Sequence, residues 1–293
     1  MTGEFSNRCT AASQVITAPV CRVFLLMFAL WHAPAKAHEF WVVPIPAATA
    51  PGSHARFSLM VGEQFQGDLV GVSRTLAADL QHYSAGGVTD LRGQLPMMPA
   101  ADFVVKLSAP GTNLIAFESK ANTISLSSDS FHAYLHDEGL DFVKAKREAA
   151  GTARQPGRER YRRFVKTLVS VPLGALAAGT GFEDTTHARQ LGQQLEILPL
   201  NNPLLLAPGD ALRVQIVFED KPLAGALVKA WHRRDGQTLT IRATTAADGR
   251  ATFNLPYAGP WMVSVVHMVA AKDVSNIDWD SFWGNLTFVM PPS

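Results

Sequence analysis

From residue 195 onward the chain reads as short, alternating apolar runs set apart by turn residues, and that spacing restricts the fold more than any other feature. Ala211–Phe218 alternates with period two, and further runs follow at 226–233, 239–244, 251–255, 261–268 and 286–290. Asp220-Lys221-Pro222 and Asp248-Gly249 supply turns, the second of a kind that suits a β-hairpin. Six strands at this spacing predict a sandwich of the immunoglobulin-like or transthyretin-like kind.

The preceding part is also strand-rich, with one interruption. A strand at 39–43 ends at Pro44-Ile45-Pro46, and 55–61 alternates after the turn residues Pro51-Gly52. The runs 103–107 and 114–118 flank Ala109-Pro110-Gly111-Thr112 and predict a hairpin. At Ser128-Asp129 the period changes: a cap opens a helix through Phe131, Tyr134, Leu135 and Phe142. Pro156-Gly157 then precedes a second helical stretch, 158–169, with Tyr161, Phe164, Val165 and Leu168 on its apolar face. Nine basic and two acidic residues between Lys144 and Lys166 read as a solvated helix pair in preference to an anion-binding surface. The expected fold is mainly β, with two sandwich-like domains at 38–194 and 195–293 and a helical hairpin inserted at about 128–170.

Residues 1–37 carry the marks of a cleavable secretory signal. Arg8 and Arg22 precede the apolar run Val23-Phe24-Leu25-Leu26-Met27-Phe28-Ala29-Leu30-Trp31; Pro34 breaks it, and Ala35-Lys36-Ala37 offers a small-x-small cleavage site. The run is too short to cross a bilayer, and no later one reaches ~18 apolar residues. The expected location is therefore the periplasm or the exterior, with cleavage after Ala37. Removing the first 37 of 293 residues leaves 256 and takes away both cysteines, Cys9 and Cys21. No disulfide, thiolate metal site or catalytic thiol then exists in the mature chain. Its 23 basic and 24 acidic residues give a net charge of −1, with no global field to attract nucleic acid.

The same cut makes His38 the first residue. A free α-amine and the imidazole Nδ1 of one residue can close a chelate ring on a metal ion, and a second histidine would complete a three-nitrogen set suited to Cu, Ni, Co or Zn. Among the eight histidines that remain, His267 shares a strand face with Val263 and Val265, a position that fits either a core histidine or a ligand. His132 and His136 stand four apart and read as the polar border of a helix. Asp137-Glu138 and Asp278/Asp280 read equally well as carboxylate pairs and as helix-surface and loop acids, and Trp279, Phe282 and Trp283 read as an aromatic plug in preference to a ligand platform. No G-x-S-x-G elbow, P-loop or dinucleotide fingerprint occurs, so neither a nucleophile nor an organic cofactor is expected.

An ordered series of segments resembles a known family. It runs through His38-Glu39-Phe40-Trp41, Val61-Gly62-Glu63, Tyr134-Leu135 with Glu138-Gly139-Leu140, and Gly157-Arg158-Glu159-Arg160-Tyr161. Leu195-Glu196-Ile197-Leu198-Pro199 with Asn202-Pro203, Lys221-Pro222-Leu223-Ala224-Gly225-Ala226, Asp248-Gly249-Arg250, 261–268 and 279–288 complete it. The chain resembles the NikM-like exported bacterial proteins of unknown function that are grouped with nickel and cobalt uptake systems. The resemblance implies a C-terminal sandwich of the carboxypeptidase-regulatory kind, and a non-catalytic role in handling a transition metal, nickel or cobalt ahead of copper or zinc. It places His38 and His267 on family positions as ligands, and a metal-uptake system or an outer-membrane receptor as partner. Two other readings stand beside it: a histidine-brace copper enzyme acting oxidatively on a polymer, and a metal-free sandwich that binds glycan or protein.

Overall fold

The computed structural model describes residues 38–172, 184–272 and 275–292; the expected signal segment, 1–37, lies outside the described residues. In chain order the first part holds β1 (Glu39–Ile45), β2 (Ser53–Glu63), β3 (Gln66–Val70), β4 (Ala77–Ser84), β5 (Gly87–Asp90), β6 (Phe103–Leu107), β7 (Gly111–Ser119) and β8 (Asn122–Leu126). Two helices follow, α1 (Ser128–Asp137) and α2 (Asp141–Ala149), and then the long strand β9 (Gly157–Val171). The remainder holds β10 (Leu195–Pro199), β11 (Ala211–Phe218), β12 (Lys221–Pro222), β13 (Leu227–Arg234), β14 (Gln237–Thr244), β15 (Arg250–Asn254), β16 (Gly259–Ala270) and β17 (Trp279–Met290). The chain is mainly β, as its alternating runs predict.

A nine-stranded sheet forms the middle layer, in the order β14-β13-β16-β17-β9-β7-β4-β5, with β8 also paired to β9. Strand alternation sends successive side chains to opposite faces, and both faces are covered. On one face Trp261, Val263 and Val265 of β16 join Leu286 and Phe288 of β17 and Leu114 of β7, packing against Ile197, Leu212, Val214 and Ile216 of the β10-β11-β12-β15 sheet. On the other face Ile115, Phe117, Val165 and Val169 meet Phe40, Val42, Phe57 and Leu59 of the β1-β2-β3-β6 sheet. Beside that sheet the α1–α2 hairpin buries Phe131, Leu135 and Val143 against Val266, Met268, Trp279 and Trp283. Two sandwiches therefore share one sheet, and the seam between them is the parallel pairing of β9 with β17, Glu159 opposite Trp279 through Thr167 opposite Thr287.

Four local expectations are corrected. Residues 158–169 form a strand, not a helix. Their apolar spacing fits 3.6-residue periodicity, but 164–169 are buried without a break because β9 is covered on both faces, and Val165, Thr167 and Val169 favour extended backbone. The helical hairpin is α1 with α2, and Phe142 belongs to the second helix, not the first. The runs 103–107 and 114–118 do not pair: β6 joins β2 while β7 joins β4 and β9, so Ala109-Pro110 bridges two layers. Asp248-Gly249 likewise leads from one layer to the other. The tight hairpin lies at Asp235-Gly236, where φ values of 51° and 78° give the twist that suits β13 and β14.

Candidate functional site

His38 stands immediately before β1. Glu39 pairs with Gly62 across the β1–β2 ladder, so the next residue outward, His38, faces Glu63. Its Nδ1 lies 3.4 Å from Glu63 Oε1, and both side chains are about two-fifths exposed, at 42% and 39%. One nitrogen and one oxygen donor are thus placed together at a rim open to solvent.

The neighbouring Glu39 turns inward, into a buried cluster that the sequence reading did not pick out. Ser264 Oγ donates to Glu39 Oε1 at 2.8 Å and Asn285 Nδ2 donates to Oε2 at 3.0 Å. Trp231 Nε1 donates to the same Ser264 oxygen, at 2.8 Å. Lys229 Nζ lies 3.8 Å from Glu39 and 2.5 Å from Glu138 Oε2. The Glu138 carboxylate is delivered there by the end of α1: Leu140 N–H reaches the Leu135 carbonyl, Gly139 N–H reaches that of His136, and Gly139 takes φ 69°. This is the Schellman arrangement, which favours glycine at the left-handed position. Beside them Glu159 accepts from Ser281 Oγ, which in turn accepts from Trp283 Nε1 at 3.2 Å. Burial raises the Glu138 carboxyl against the pull of Lys229, and lifts that of Glu159 to about 7. Glu39, Glu138, Glu159, Lys229, Ser264 and Asn285 come from six separate elements or caps, so only tertiary pairing brings them together. The signal available in sequence was that five of these six residues, Glu39, Glu138, Glu159, Ser264 and Asn285, fall within the quoted family segments, Lys229 being the exception.

His267 lies elsewhere. It belongs to the odd-numbered face of β16 and meets the Phe218 ring edge-on at 4.5 Å, with Phe142 stacked at 6.2 Å. Burial holds its imidazole down at about 4. β1 lies against the opposite face, where Glu39 bonds Ser264 and the Val42 carbonyl accepts from Thr287. The structure does not bring His38 and His267 together on one ion, as the sequence led one to expect: Ser264 and His267 stand an odd number of residues apart along β16, so Ser264, not His267, lies beneath β1. Among the described residues no group of three or more His, Cys, Asp or Glu side chains is disposed to hold a metal ion. His136 is exposed and faces Asp141 at 3.4 Å, in keeping with a solvated helix border. Asp278 and Asp280 are clamped by Arg158 and Arg160 at 2.5 and 2.6 Å, so they act as ties across β9 and β17, not as a carboxylate pair. Trp279, Phe282 and Trp283 are buried, which agrees with an aromatic plug.

Comparison with known proteins gives a family and little beyond it. No curated protein matches the chain. Among solved structures, Escherichia coli alpha-2-macroglobulin activated by porcine elastase aligns at 9% identity and a TM-score of 0.22, over 88% of this chain and 20% of that one. A Salmonella alpha-2-macroglobulin mutant aligns at 10% identity and a TM-score of 0.19, over 88% of this chain and 16% of that one. The chain spans a fifth or less of the length of these proteins. The sequence itself matches the family described as a domain of unknown function, DUF4198, over residues 35–269. That stretch runs from the expected signal junction to the penultimate residue of β16 and includes His38, His267 and every member of the Glu39 cluster except Asn285; the chain belongs to the DUF4198 family.

Proposed function

We propose that this protein is an exported, non-catalytic accessory component that captures or hands over a transition metal ion as cargo, nickel or cobalt ahead of copper or zinc. His38 is the anchoring residue in this reading. The observation that carries it is the approach of His38 Nδ1 to Glu63 at 3.4 Å on an accessible rim. Cleavage after Ala37 would add the freed α-amine of His38 to that imidazole and carboxylate. Two nitrogens and one oxygen suit the later first-row divalent ions better than magnesium or calcium. The Glu39 cluster supports the reading, because it bolts the residue next to His38 into the central sheet and so limits the motion of the chain end. Incomplete protein ligation also fits a carrier, which must release its ion to a partner, here a metal-uptake system or an outer-membrane receptor.

Calorimetric titration with Ni, Co, Cu and Zn tests this, comparing protein that begins at His38 with protein that keeps Ala37. Retaining Ala37 removes the amine, and affinity should fall at least about tenfold, a difference of about 1.4 kcal/mol. Glu63→Gln should weaken binding by a smaller factor and His38→Ala should abolish it. Equal affinity with and without Ala37 would refute the reading.

A further inference from the structure

A second site lies on the other face of the central sheet, where β13 ends and β16 begins. A cavity of about 530 Å³ opens there, lined by Pro208, Pro256 and Pro260 together with His232, Arg234 and Tyr257. Its size falls within the range of small-molecule pockets.

Four side chains form a column, in which His232, Arg234 and Tyr257 line the cavity and Trp261 lies buried behind them. The His232 ring stacks on Trp261 at 4.7 Å and lies tilted against Tyr257 at 5.5 Å, and the Arg234 guanidinium sits 5.5 Å from the Tyr257 ring centre. The column is fixed from behind: Trp261 Nε1 donates to the Tyr257 carbonyl at 2.9 Å. His232 is only 3% exposed, and its Nδ1 lies 2.8 Å from the Pro260 carbonyl oxygen. A carbonyl accepts and never donates, so the Nδ1 position carries a hydrogen. That fixes the ring and leaves Nε2, which is buried and has no partner among the described residues. A buried polar atom without a partner costs free energy that a ligand could recover.

Charge decides what the ligand is. Arg233 and Arg234 both line the cavity and no acidic side chain does. Arg234 meets Asp235 through Nε at 3.2 Å, and Arg233 donates to Gln66, but the lining itself remains cationic. A metal ion at Nε2 would lie beside the Arg234 guanidinium, whereas a carboxylate would be drawn to it; the Arg233 guanidinium is held by Gln66 toward the other face of the sheet. The three prolines and the Tyr257 ring, which is 41% exposed, offer C–H and aromatic surface instead of further hydrogen-bond partners. A ligand that matches this wall needs a carboxylate, hydroxyls for Nε2 and an apolar ring face.

We infer that the cavity at the β13–β16 end binds an acidic sugar residue, with Arg234 on the carboxylate, His232 Nε2 on a hydroxyl and Tyr257 against the ring. This site shares no residue with the His38–Glu63 rim, so either can fail alone. Glucuronate and galacturonate, with glucose as the neutral control, can be titrated against the purified protein while chemical shifts are followed by NMR. Both acids should move resonances of 232–234 and 256–261, and glucose should bind at least about tenfold more weakly. Arg234→Gln, a change on a largely exposed side chain, should remove the preference for the acids, and Tyr257→Ala should weaken acids and glucose alike. Equal binding of glucuronate and glucose, binding unchanged in Arg234→Gln, or no shift with either acid would each overturn the inference.

Discussion

His267 and Glu159 are both withdrawn from water, and they move stability in opposite directions with pH. His267 has its imidazole held at about 4 by burial, below the ordinary value of 6.5. As pH falls from 6.5 to 4 the unfolded chain takes up a proton that the folded one refuses, so stability is lost, by about 3 kcal/mol over the whole window. Replacing the imidazole by a ring that cannot titrate, His267→Phe, should flatten the drop in melting temperature between pH 6.5 and pH 4.5. An unchanged drop would show that other groups cause it. Glu159 behaves in reverse: burial lifts its carboxyl to about 7 from 4.5, so the fold keeps a proton that the unfolded chain releases. Its contribution is complete below pH 4.5 and is lost as pH rises through 7. Glu159→Gln should therefore narrow the difference in melting temperature between pH 5 and pH 8, and a wider difference would contradict the assignment. The two residues also differ in how far the sequence announced them. Alternation along 261–268 set His267 among Val263 and Val265, and the structure keeps it there. Glu159 sits between two arginines, Arg158 and Arg160, and nothing local tells that their side chains go to Asp278 and Asp280 while its own turns to Ser281.

At the scale of elements, the turn after α1 and the start of β9 each depend on one missing side chain. At Gly139 a Cβ would stand 2.6 Å from Leu227 Cβ, and φ 69° is a left-handed conformation. At Gly157 a Cβ would fall on the Phe131 ring. Gly139→Ala should destabilise by more than about 1 kcal/mol, because the backbone strain and the steric clash add. It should also tilt α1 and draw Glu138 away from Lys229. Denaturant unfolding measures the first effect, and a wild-type midpoint would rule it out. The Glu138-Gly139-Leu140 segment was readable as a helix stop, since Gly past a helix end is the expected terminator. The strand character of β9 was not, because a strand buried on both faces loses the alternation that marks a half-exposed one. Leu168 packs toward β10 and β11 while Val169 packs toward β1 and β2, so consecutive residues are both apolar for different reasons. Asp-Gly occurs both at Asp235-Gly236, which closes the β13–β14 hairpin, and at Asp248-Gly249, whose turn hands the chain to another layer, so the dipeptide alone does not tell the two apart.

For the whole molecule, the shared sheet determines how the halves depend on each other. A boundary between 194 and 195 cuts the chain where the regular strand spacing begins, but β9 before it and β17 after it are hydrogen-bonded along nine residue pairs. The halves are also joined by charge. Lys166 of β9 is 1% exposed and its Nζ lies 2.5 Å from Glu196 of β10, which also accepts from Leu191 and Gly192 N–H groups. Glu196→Gln leaves the ammonium buried without its counter-charge and should cost about 3–5 kcal/mol, whereas replacing both partners by apolar residues should cost far less. Thermal unfolding of the single and double variants separates these outcomes, and equal losses would mean that the pair is not what the site depends on. A fragment of residues 195–293 would keep most of the core against β10 and β11. It would uncover the opposite face of β13, β16 and β17, where Trp231, Met262, Val266, Met268, Trp279 and Trp283 are buried beneath the first half. Lys229 would lose both Glu39 and Glu138, and Glu196 would lose Lys166. An apolar face of that extent drives self-association. The fragment should therefore aggregate or dimerise, while the intact chain melts in one cooperative step. A monomeric fragment with a well-dispersed NMR spectrum would show that the central sheet can be divided at β9 without loss.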